Sequence, residues 1–278
     1  MAAPREALYF PASQRQQLDS YLPSPSITST SSVSSKPHVT LTFATSLDSQ
    51  LALAPGVQTA LSGPESKAMT HYLRSKHDAI LIGVGTAIAD NPSLNCRIEG
   101  VGGYGGEGLY GQPRPIVLDP KGRWEISAES KVVKLAREGK GKAPWIITKT
   151  DVGEQKRSLL ESVGGKFLRY GDSFGGVEAS LSARMEWRGM LQLLSREGIQ
   201  GVMIEGGGVV INDLLSADNL ELVDSVILTI APTWLGRGGV QVCPEQRQGL
   251  GRSLPAGRLK DVNWMPLGED VVLCGRPQ

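Results

Sequence analysis

The sequence has few of the residues that build metal centres and disulfide frameworks. Its 278 residues include only three cysteines and three histidines. The cysteines, Cys96, Cys243 and Cys274, are widely separated and odd in number, which argues against a disulfide framework and favours a reducing compartment. Neither residue type has the spacing of metal ligands, so we predict no metal site.

The sequence also lacks an excess of charge of either sign and any long apolar run. A formal net charge of +1 gives no reason to expect nucleic acid or an anionic membrane as a partner. No apolar run approaches the roughly 20 residues that a membrane helix needs. The N-terminus has no apolar secretory core, so we expect a cytoplasmic location.

Residues 1–36 are poor in residues that form a core. The stretch "SYLPSPSITSTSSVSSK" is dominated by serine, threonine and proline. Such a composition buries too little apolar surface to offset the entropy of ordering it. We therefore predict a disordered, dispensable N-terminal tail over residues 1–36 and one folded domain over residues 37–278. A regulatory arm is the alternative.

Short apolar strands alternate with amphipathic helices from residue 37 onward. A helix is expected in "SGPESKAMTHYLRSK", where Ser62 and Glu65 have capping-box spacing. The last two predicted strands, "VDSVILTIAP" and "DVVLCG", have no strong helix between them. These patterns predict an α/β fold with a mostly parallel central sheet, flanking helices and an antiparallel C-terminal edge. The glycine-dense residues 98–112 are expected to form an exposed loop.

Glycines follow two of the predicted strands, in "GVGT" at residues 83–86 and "EGGGVV" at residues 205–210. Glycines let a pyrophosphate approach the backbone closely, and amides at a helix start attract phosphate. Tight strand-to-helix turns are the alternative for each motif. Two such strand ends in one sheet favour a ligand site, because α/β sheets bind ligands at the carboxyl ends of their strands.

Each nearby polar side chain has both a functional and a structural interpretation. Thr86 can hydrogen-bond a ligand or cap a turn. Asp90, before Asn91 and Pro92, can bind a ligand or start a turn. Arg97 can bind a phosphate or be a solvated arginine.

Taken together and in order, the motifs resemble a known enzyme family. The pattern T-x-x-x-D-(N/D)-P-x-L-x-x-R, from Thr86 to Arg97, and the glycines after Glu205 are similar to those of the pyrimidine reductases of riboflavin biosynthesis. More narrowly, residues 37–275 resemble the fungal and archaeal 2,5-diamino-6-(ribosylamino)-4(3H)-pyrimidinone 5′-phosphate reductases. The reductase half of the bacterial bifunctional deaminase-reductase shares these motifs. The zinc-deaminase signature is absent, so we expect reduction without deamination.

The resemblance implies a dihydrofolate-reductase-like fold, usually dimeric, that reduces the ribose of the substrate to a ribityl chain with NADPH, with NADH as the alternative cofactor. It implies cofactor-binding roles for Thr86, Asp90, Gly206, Gly207, Gly208, Val209 and Val210. It implies substrate-binding roles for Ser62, Leu94, Arg97 and Glu205, with Asp48 at the ribose-phosphate end. The bacterial enzymes often carry a lysine where this chain has Thr42, so a lysine contact to the substrate is not expected here.

Two further roles are hypotheses about catalysis and cofactor choice. Asp48 or Glu205 is the candidate acid for the sugar ring oxygen, if partial burial raises its pKa. Lys149, with Arg169 as second choice, is the candidate cation for the 2′-phosphate of NADPH, and a solvated surface cation is the alternative. Two other functions stay open: a reductase of a pterin-like ring, and a catalytically silent protein that binds nucleotides or acts as a scaffold.

Overall fold

The computed structural model describes residues 6–24, 36–170, 186–249 and 252–278. Within these ranges the helices are α1 Ala12–Leu18, α2 Pro64–Ser75, α3 Val84–Asp90, α4 Lys131–Arg137, α5 Glu154–Glu161, α6 Trp187–Arg196 and α7 Gly208–Leu214, with 3₁₀ turns at Asp19–Tyr21 and Leu220–Leu222. The strands are β1 His38–Thr45, β2 Gln50–Ala52, β3 Ala79–Gly83, β4 Val101–Gly102, β5 Gly105–Gly106, β6 Arg114–Leu118, β7 Trp145–Thr148, β8 Lys166–Arg169, β9 Gly201–Gly206, β10 Ser225–Ile230, β11 Val240–Gln241, β12 Arg247–Gly249, β13 Arg252–Leu254, β14 Leu259–Leu267 and β15 Asp270–Pro277.

The central sheet has the strand order β14-β15-β10-β1-β9-β3-β6-β7-β8. The seven strands from β10 to β8 are parallel, whereas β15 pairs antiparallel with β10 and with β14. The predicted fold class and the antiparallel C-terminal edge are therefore confirmed. Ile80 and Leu81 of β3 point to opposite faces and are both fully buried. Burial on both faces explains the continuous apolar sequence of this strand.

Strand β14 was not predicted from the sequence. Its segment "LKDVNWMPL" contains a lysine, an aspartate and a proline, so an apolar alternation is visible only near its end, where Met265 and Leu267 point inward. Pro266 is tolerated because β14 is the edge strand. No helix of the described residues is long and apolar enough to cross a membrane.

Helix α2 begins one residue later than its sequence pattern predicts. Its N-cap is Gly63, which makes no side-chain cap, so the predicted capping box at Ser62 is wrong. The Gly63 amide instead donates to Asp270 Oδ2 at 2.9 Å. A contact between the helix start and β15 therefore replaces the local cap. The helix buries Met69 and Leu73 completely against the sheet.

Residues 6–24 form a folded N-terminal arm, and the prediction that they are disordered is wrong. Phe10 and Leu18 are fully buried, and the ring of Phe10 lies 5.3 Å from that of Tyr72 on α2. The Tyr72 hydroxyl donates to Asp19 Oδ1 at 2.7 Å. Residues 1–5 and 25–35 of the predicted tail lie outside the described residues.

The arm also pairs with the chain that follows the T-x-x-x-D motif. The Leu8 amide donates to the Arg97 carbonyl at 2.7 Å, and the Glu99 amide donates to the Leu8 carbonyl at 3.0 Å. Apolar residues are few in the arm, but the arm adds them to a surface that α2 has already formed. The composition rule failed because it counts only the apolar area that the segment itself supplies.

The glycine-dense residues 98–112 are more tightly held than the predicted exposed loop. Gln112 is buried, and its Nε2 donates to the carbonyls of Cys96 and Gly102, both at 2.7 Å. A Cβ atom on Gly102 would lie 2.4 Å from the Gly108 carbonyl oxygen. Here the glycines allow two backbone segments to approach each other closely.

Candidate active site

The carboxyl ends of β3 and β9 are neighbours in the sheet, and both carry the predicted glycine motifs. The segment after β3, expected to be a loop, begins as the short helix α3. Thr86 and Asp90 are therefore four residues apart on one helix, a spacing that places them on the same face. This spacing was the signal in the sequence that the loop interpretation missed.

The three glycines after Glu205 each lie close to a neighbouring side chain. Gly206 has a φ of 111°, and a Cβ atom on it would lie 2.6 Å from Ile211 Cδ1. A Cβ atom on Gly207 would lie 2.9 Å from Thr86 Oγ1, and one on Gly208 would lie 2.4 Å from Val240 Cγ1. The glycine segment thus contacts α3 on one side and β11 on the other.

The two valines after the glycines have different environments. Val209 is 79% exposed, so its side chain is accessible to a ligand, whereas Val210 is only 4% exposed. A Cβ atom on Gly83 would lie 3.1 Å from Val210 Cγ2, which places the Val210 side chain against the end of β3. A ligand can therefore contact Val210 only through its backbone.

Thr86 and Asp90 both present polar atoms that the rest of the described chain does not use. The Thr86 hydroxyl faces Gly207, and neither side chain hydrogen-bonds a described residue. Burial raises the pKa of the Asp90 carboxyl, while the charge of Lys131 acts in the opposite direction. A partly desolvated carboxylate without a donor gains stability from ligand hydroxyl groups.

Glu205 forms a largely buried ion pair with Arg74, a residue that the sequence analysis missed. Arg74 Nε donates to Glu205 Oε1 at 2.9 Å and Nη2 donates to Oε2 at 2.8 Å, while Nη1 donates to the Asn95 carbonyl at 3.1 Å. The two side chains are only 13% and 17% exposed. The signal for Arg74 was its position four residues after Thr70 and eight after Ser66, in a polar stripe on α2.

This pairing bears on the proposed acid role of Glu205. Both of its carboxylate oxygens accept hydrogen bonds from one guanidinium, the two-point geometry that fixes a carboxylate in orientation. Proton donation to a substrate would require this pair to rearrange. The geometry favours a fixed carboxylate that binds and orients, and the acid role of Glu205 stays a prediction.

Asp48 anchors a loop, and the expectation that its pKa is raised is wrong. Its carboxylate accepts hydrogen bonds from the Ser46 hydroxyl, from the Leu235 amide at 3.1 Å and from the Gly236 amide at 2.7 Å. The Ser46 hydrogen bond is the largest cause that lowers the pKa of Asp48. Stabilisation of the ionised form makes this residue a poor acid at neutral pH.

Leu94, Arg97 and Ser62 lie in three different environments. Leu94 has a φ of 52° and a buried side chain. The Arg97 amide donates to His71 Nδ1 at 3.1 Å, and its guanidinium Nη1 donates to the Glu6 carbonyl at 3.0 Å. Ser62 precedes the helix, roughly 10 Å along its axis from His71. The structure does not bring Ser62 and Arg97 into contact, so their joint grip on one phosphate stays a prediction.

Lys149 directly follows β7, and Arg169 is the last residue of β8. Both residues therefore lie at the carboxyl ends of neighbouring parallel strands. Lys149 Nζ lies 5.3 Å from the centre of the Tyr170 ring, and Arg169 Nη1 lies 2.7 Å from Asp151 Oδ1. Strand β6 separates β7 from β3, which puts Lys149 roughly 10 Å from the Thr86 strand end. Among the described residues, no three His, Cys, Asp or Glu side chains cluster as a metal site would require.

Comparison with known proteins identifies a family and several similar chains. The model of the RibD C-terminal domain matches residues 37–273. The chain is 40% identical over 271 residues to the 2,5-diamino-6-ribosylamino-4(3H)-pyrimidinone 5′-phosphate reductase of Debaryomyces hansenii, covering 95% of this chain and 96% of that protein. It is 42% identical over 249 residues to the reductase of the same name from Kluyveromyces marxianus, covering 87% of each chain.

A solved structure extends the similarity to the fold. The Saccharomyces cerevisiae riboflavin biosynthesis reductase Rib7 superposes with a TM-score of 0.69 at 33% sequence identity, covering 95% of this chain and 99% of that one. The RibD structure from Acinetobacter baumannii, with a TM-score of 0.65 and 24% identity, shares the fold. The family model, the relatives and the glycine-lined strand ends agree, and the chain belongs to the RibD C-terminal domain family.

Proposed function

We propose that this protein reduces 2,5-diamino-6-ribosylamino-4(3H)-pyrimidinone 5′-phosphate to the corresponding ribitylamino compound, with NADPH as the reductant, in riboflavin biosynthesis. The names of the relatives that match nearly the whole chain support the reaction. The observation that carries the proposal is the adjacency of two elements. The glycine segment with Thr86 and Asp90 lies directly next to the buried Arg74–Glu205 pair.

The residues around the glycine segment fit a dinucleotide. Side chains at Gly206, Gly207 and Gly208 would crowd Ile211, Thr86 and Val240, and their absence leaves the backbone accessible to a pyrophosphate. The Thr86 hydroxyl and the Asp90 carboxylate bind the cofactor, and Val209 covers it. NADPH, when bound, supplies the hydride that the ribose anomeric carbon receives.

The substrate side of the site consists of charged groups held in fixed positions. Arg74 holds Glu205 by two hydrogen bonds, so the carboxylate is oriented before the substrate binds. Arg97 serves the phosphate end, and Ser62 contributes from the start of α2. Lys149 serves the 2′-phosphate of NADPH. The protein acts in the cytoplasm as a homodimer.

An NADPH-oxidation assay with two substrates tests the proposal. We expect absorbance at the NADPH band to fall with the diaminopyrimidine ribosyl phosphate and to stay constant with dihydrofolate. A parallel assay with NADH measures the cofactor preference. Consumption with dihydrofolate alone would instead assign a pterin reductase, and no consumption with either substrate would assign a silent family member.

The division between cofactor and substrate residues gives the first prediction. Arg97→Ala should lower kcat/KM by about one to two decades, because a partly desolvated arginine–phosphate contact contributes about 1.5 to 3 kcal/mol. Its NADPH affinity should stay unchanged. Asp90→Ala should have the opposite effect and lower the affinity for NADPH more than it affects the substrate. Titration with NADPH and steady-state kinetics separate the two effects.

The control is Arg188→Ala, since Arg188 pairs with Glu221 on the surface and its side chain is 64% exposed. This variant should leave both measurements unchanged. The division of roles is wrong if Arg97→Ala weakens NADPH as much as the substrate.

A further inference from the structure

A cavity of about 400 Å³ lies near the amino end of β3, whereas Thr86 follows the carboxyl end of that strand. It opens between α1, the C-terminal end of α2 and residues 98–112, beside the residue that precedes β3. Its charged lining comprises Arg15, Lys76, Asp78, Glu99 and Lys142, and Tyr110 is among its aromatic residues. Because β3 has five residues, its two ends are roughly 17 Å apart, so the cavity is distinct from the Thr86 site.

Three cations converge on this cavity without an acidic partner among the described residues. Arg15, Lys76 and Lys142 form no ion pair there. The Arg15 guanidinium carbon and Lys76 Nζ lie 5.3 and 5.2 Å from the centre of the same Tyr72 ring. Arg15 Nε donates to the Phe10 carbonyl at 2.7 Å. The packing of the arm on α2 therefore places two of these charges beside the same ring.

The two acids of the lining form no ion pair with these cations, although the charge of Asp78 partly offsets that of Lys142. Asp78 Oδ2 accepts the amides of Gln200 and Gly201 at 2.8 and 2.9 Å. Glu99 is exposed at the rim, and its side chain pairs with no described cation.

Lys142 is the most informative of the cations. It is half-buried, and burial, followed by the charge of Arg114, lowers its pKa. The charge of Asp78 acts in the opposite direction but forms no ion pair with Lys142, so this partly desolvated ammonium group remains costly and the charge of Arg114 adds repulsion. A bound anion would relieve both effects at once.

We propose that the cavity lined by Arg15, Lys76 and Lys142 binds a small phosphorylated molecule. Arginine and lysine together suit a phosphate, the arginine through its planar fork and the lysines as point charges. Tyr110 is 79% exposed and lines the same cavity, so its ring offers a stacking face for a base or another planar group of the ligand. The phosphate contacts provide the affinity and Tyr110 the preference for an aromatic ligand.

Calorimetric titration of the full-length protein saturated with NADPH tests this proposal, because the cofactor then blocks its own phosphate site. The probes are pyrophosphate, ADP and adenosine. We expect pyrophosphate and ADP to bind and adenosine not to bind. Lys76→Gln and Lys142→Gln should each weaken binding about tenfold, the effect of one lost hydrogen bond to a charged group. Binding should also weaken as salt is raised.

The controls separate this cavity from the active site. Lys67→Gln changes an exposed lysine on the same helix and should leave binding intact. Glu99→Gln should tighten binding, which keeps the test decisive if a lysine variant folds poorly. NADPH oxidation should be unchanged in all these variants. If neither anion binds the wild type, or if Lys76→Gln and Lys142→Gln leave binding unchanged, the proposal is wrong. If ADP binds no more tightly than pyrophosphate and Tyr110→Ala has no effect, the aromatic contact is wrong.

Discussion

Arg74 and Glu205 form the residue pair on which the substrate side of the site depends. The pair is largely buried, so substitution of only one partner leaves the other charge unpaired. Arg74→Met should lower the free energy of unfolding by about 3 kcal/mol. The double variant Arg74→Met/Glu205→Met should recover most of that stability, because paired apolar replacements are often neutral. Urea unfolding measures this recovery.

The same double variant separates structure from catalysis. We expect it to remain at least tenfold less active in NADPH oxidation, since the polar groups that orient the substrate are gone. Full activity in a stable double variant would show that the pair serves only the fold.

His77 provides a pH-dependent contribution to stability. Its Nδ1 donates to the Leu73 carbonyl at 2.7 Å, so its Nε2 accepts from the Thr40 hydroxyl at 2.8 Å. Burial lowers the pKa of His77 to about 4, whereas an exposed histidine titrates near 6.5. Between these values the unfolded chain binds the extra proton, so this contribution is complete above pH 6.5 and is lost as the pH falls towards 4.

We therefore expect the wild type to lose on the order of 2 to 3 kcal/mol through this group between pH 6.5 and pH 4. His77→Gln should be less stable at pH 7.5 but should lack this share of the pH dependence. Urea unfolding at several pH values measures it. Parallel pH profiles for the two proteins would contradict the assignment.

At the scale of elements, the N-terminal arm has a testable role in stability. Phe10 is fully buried against α2, while its neighbour Tyr9 is 66% exposed. Phe10→Ala should cost about 3 to 5 kcal/mol, which corresponds to a fall in Tm of roughly 10 °C for a chain of this size. Tyr9→Ala is the matched control and should change the Tm little. Equal effects in calorimetry would mean that the arm does not pack in solution.

At the scale of the whole molecule, an apolar face at one end of the sheet supports the proposed homodimer. Val262, Trp264 and Val271 are 44%, 56% and 36% exposed. Pro266 of β14 lies opposite Val271 of β15. They share the outer face of β14 and β15, and exposed apolar patches of this kind mark association sites. A second copy of this chain can cover the same patch symmetrically.

The prediction is that Trp264→Glu gives a monomer, because a charge would be buried at the centre of the contact. Light scattering coupled to size-exclusion chromatography measures the mass. Trp234→Glu is the control, since Trp234 is 73% exposed on the loop that Asp48 holds and lies outside this face. A wild-type monomer, or a dimeric Trp264→Glu variant, would contradict the proposal.

The sequence by itself determined the class of fold and the position of the glycine segment. Continuous apolar strands such as β3 are buried on both faces, and this burial follows from composition and order alone. The glycines at residues 206–208 were also visible, because a position without room for a side chain must be glycine. Thr86 and Asp90 followed from the motif that the family shares.

Only the tertiary structure decided the roles of residues whose partners are distant in the chain. Arg74 meets Glu205 across 131 residues, and the Gly63 amide donates to Asp270 across 207, so local patterns do not identify the partner in either contact. The arm folds because α2 supplies the apolar surface that the arm lacks. Asp48 has a lowered pKa chiefly because the nearby Ser46 hydroxyl donates to it, and amides from a distant loop add to this effect. Burial and charge depend on the whole fold, and a pattern of neighbouring residues cannot encode them.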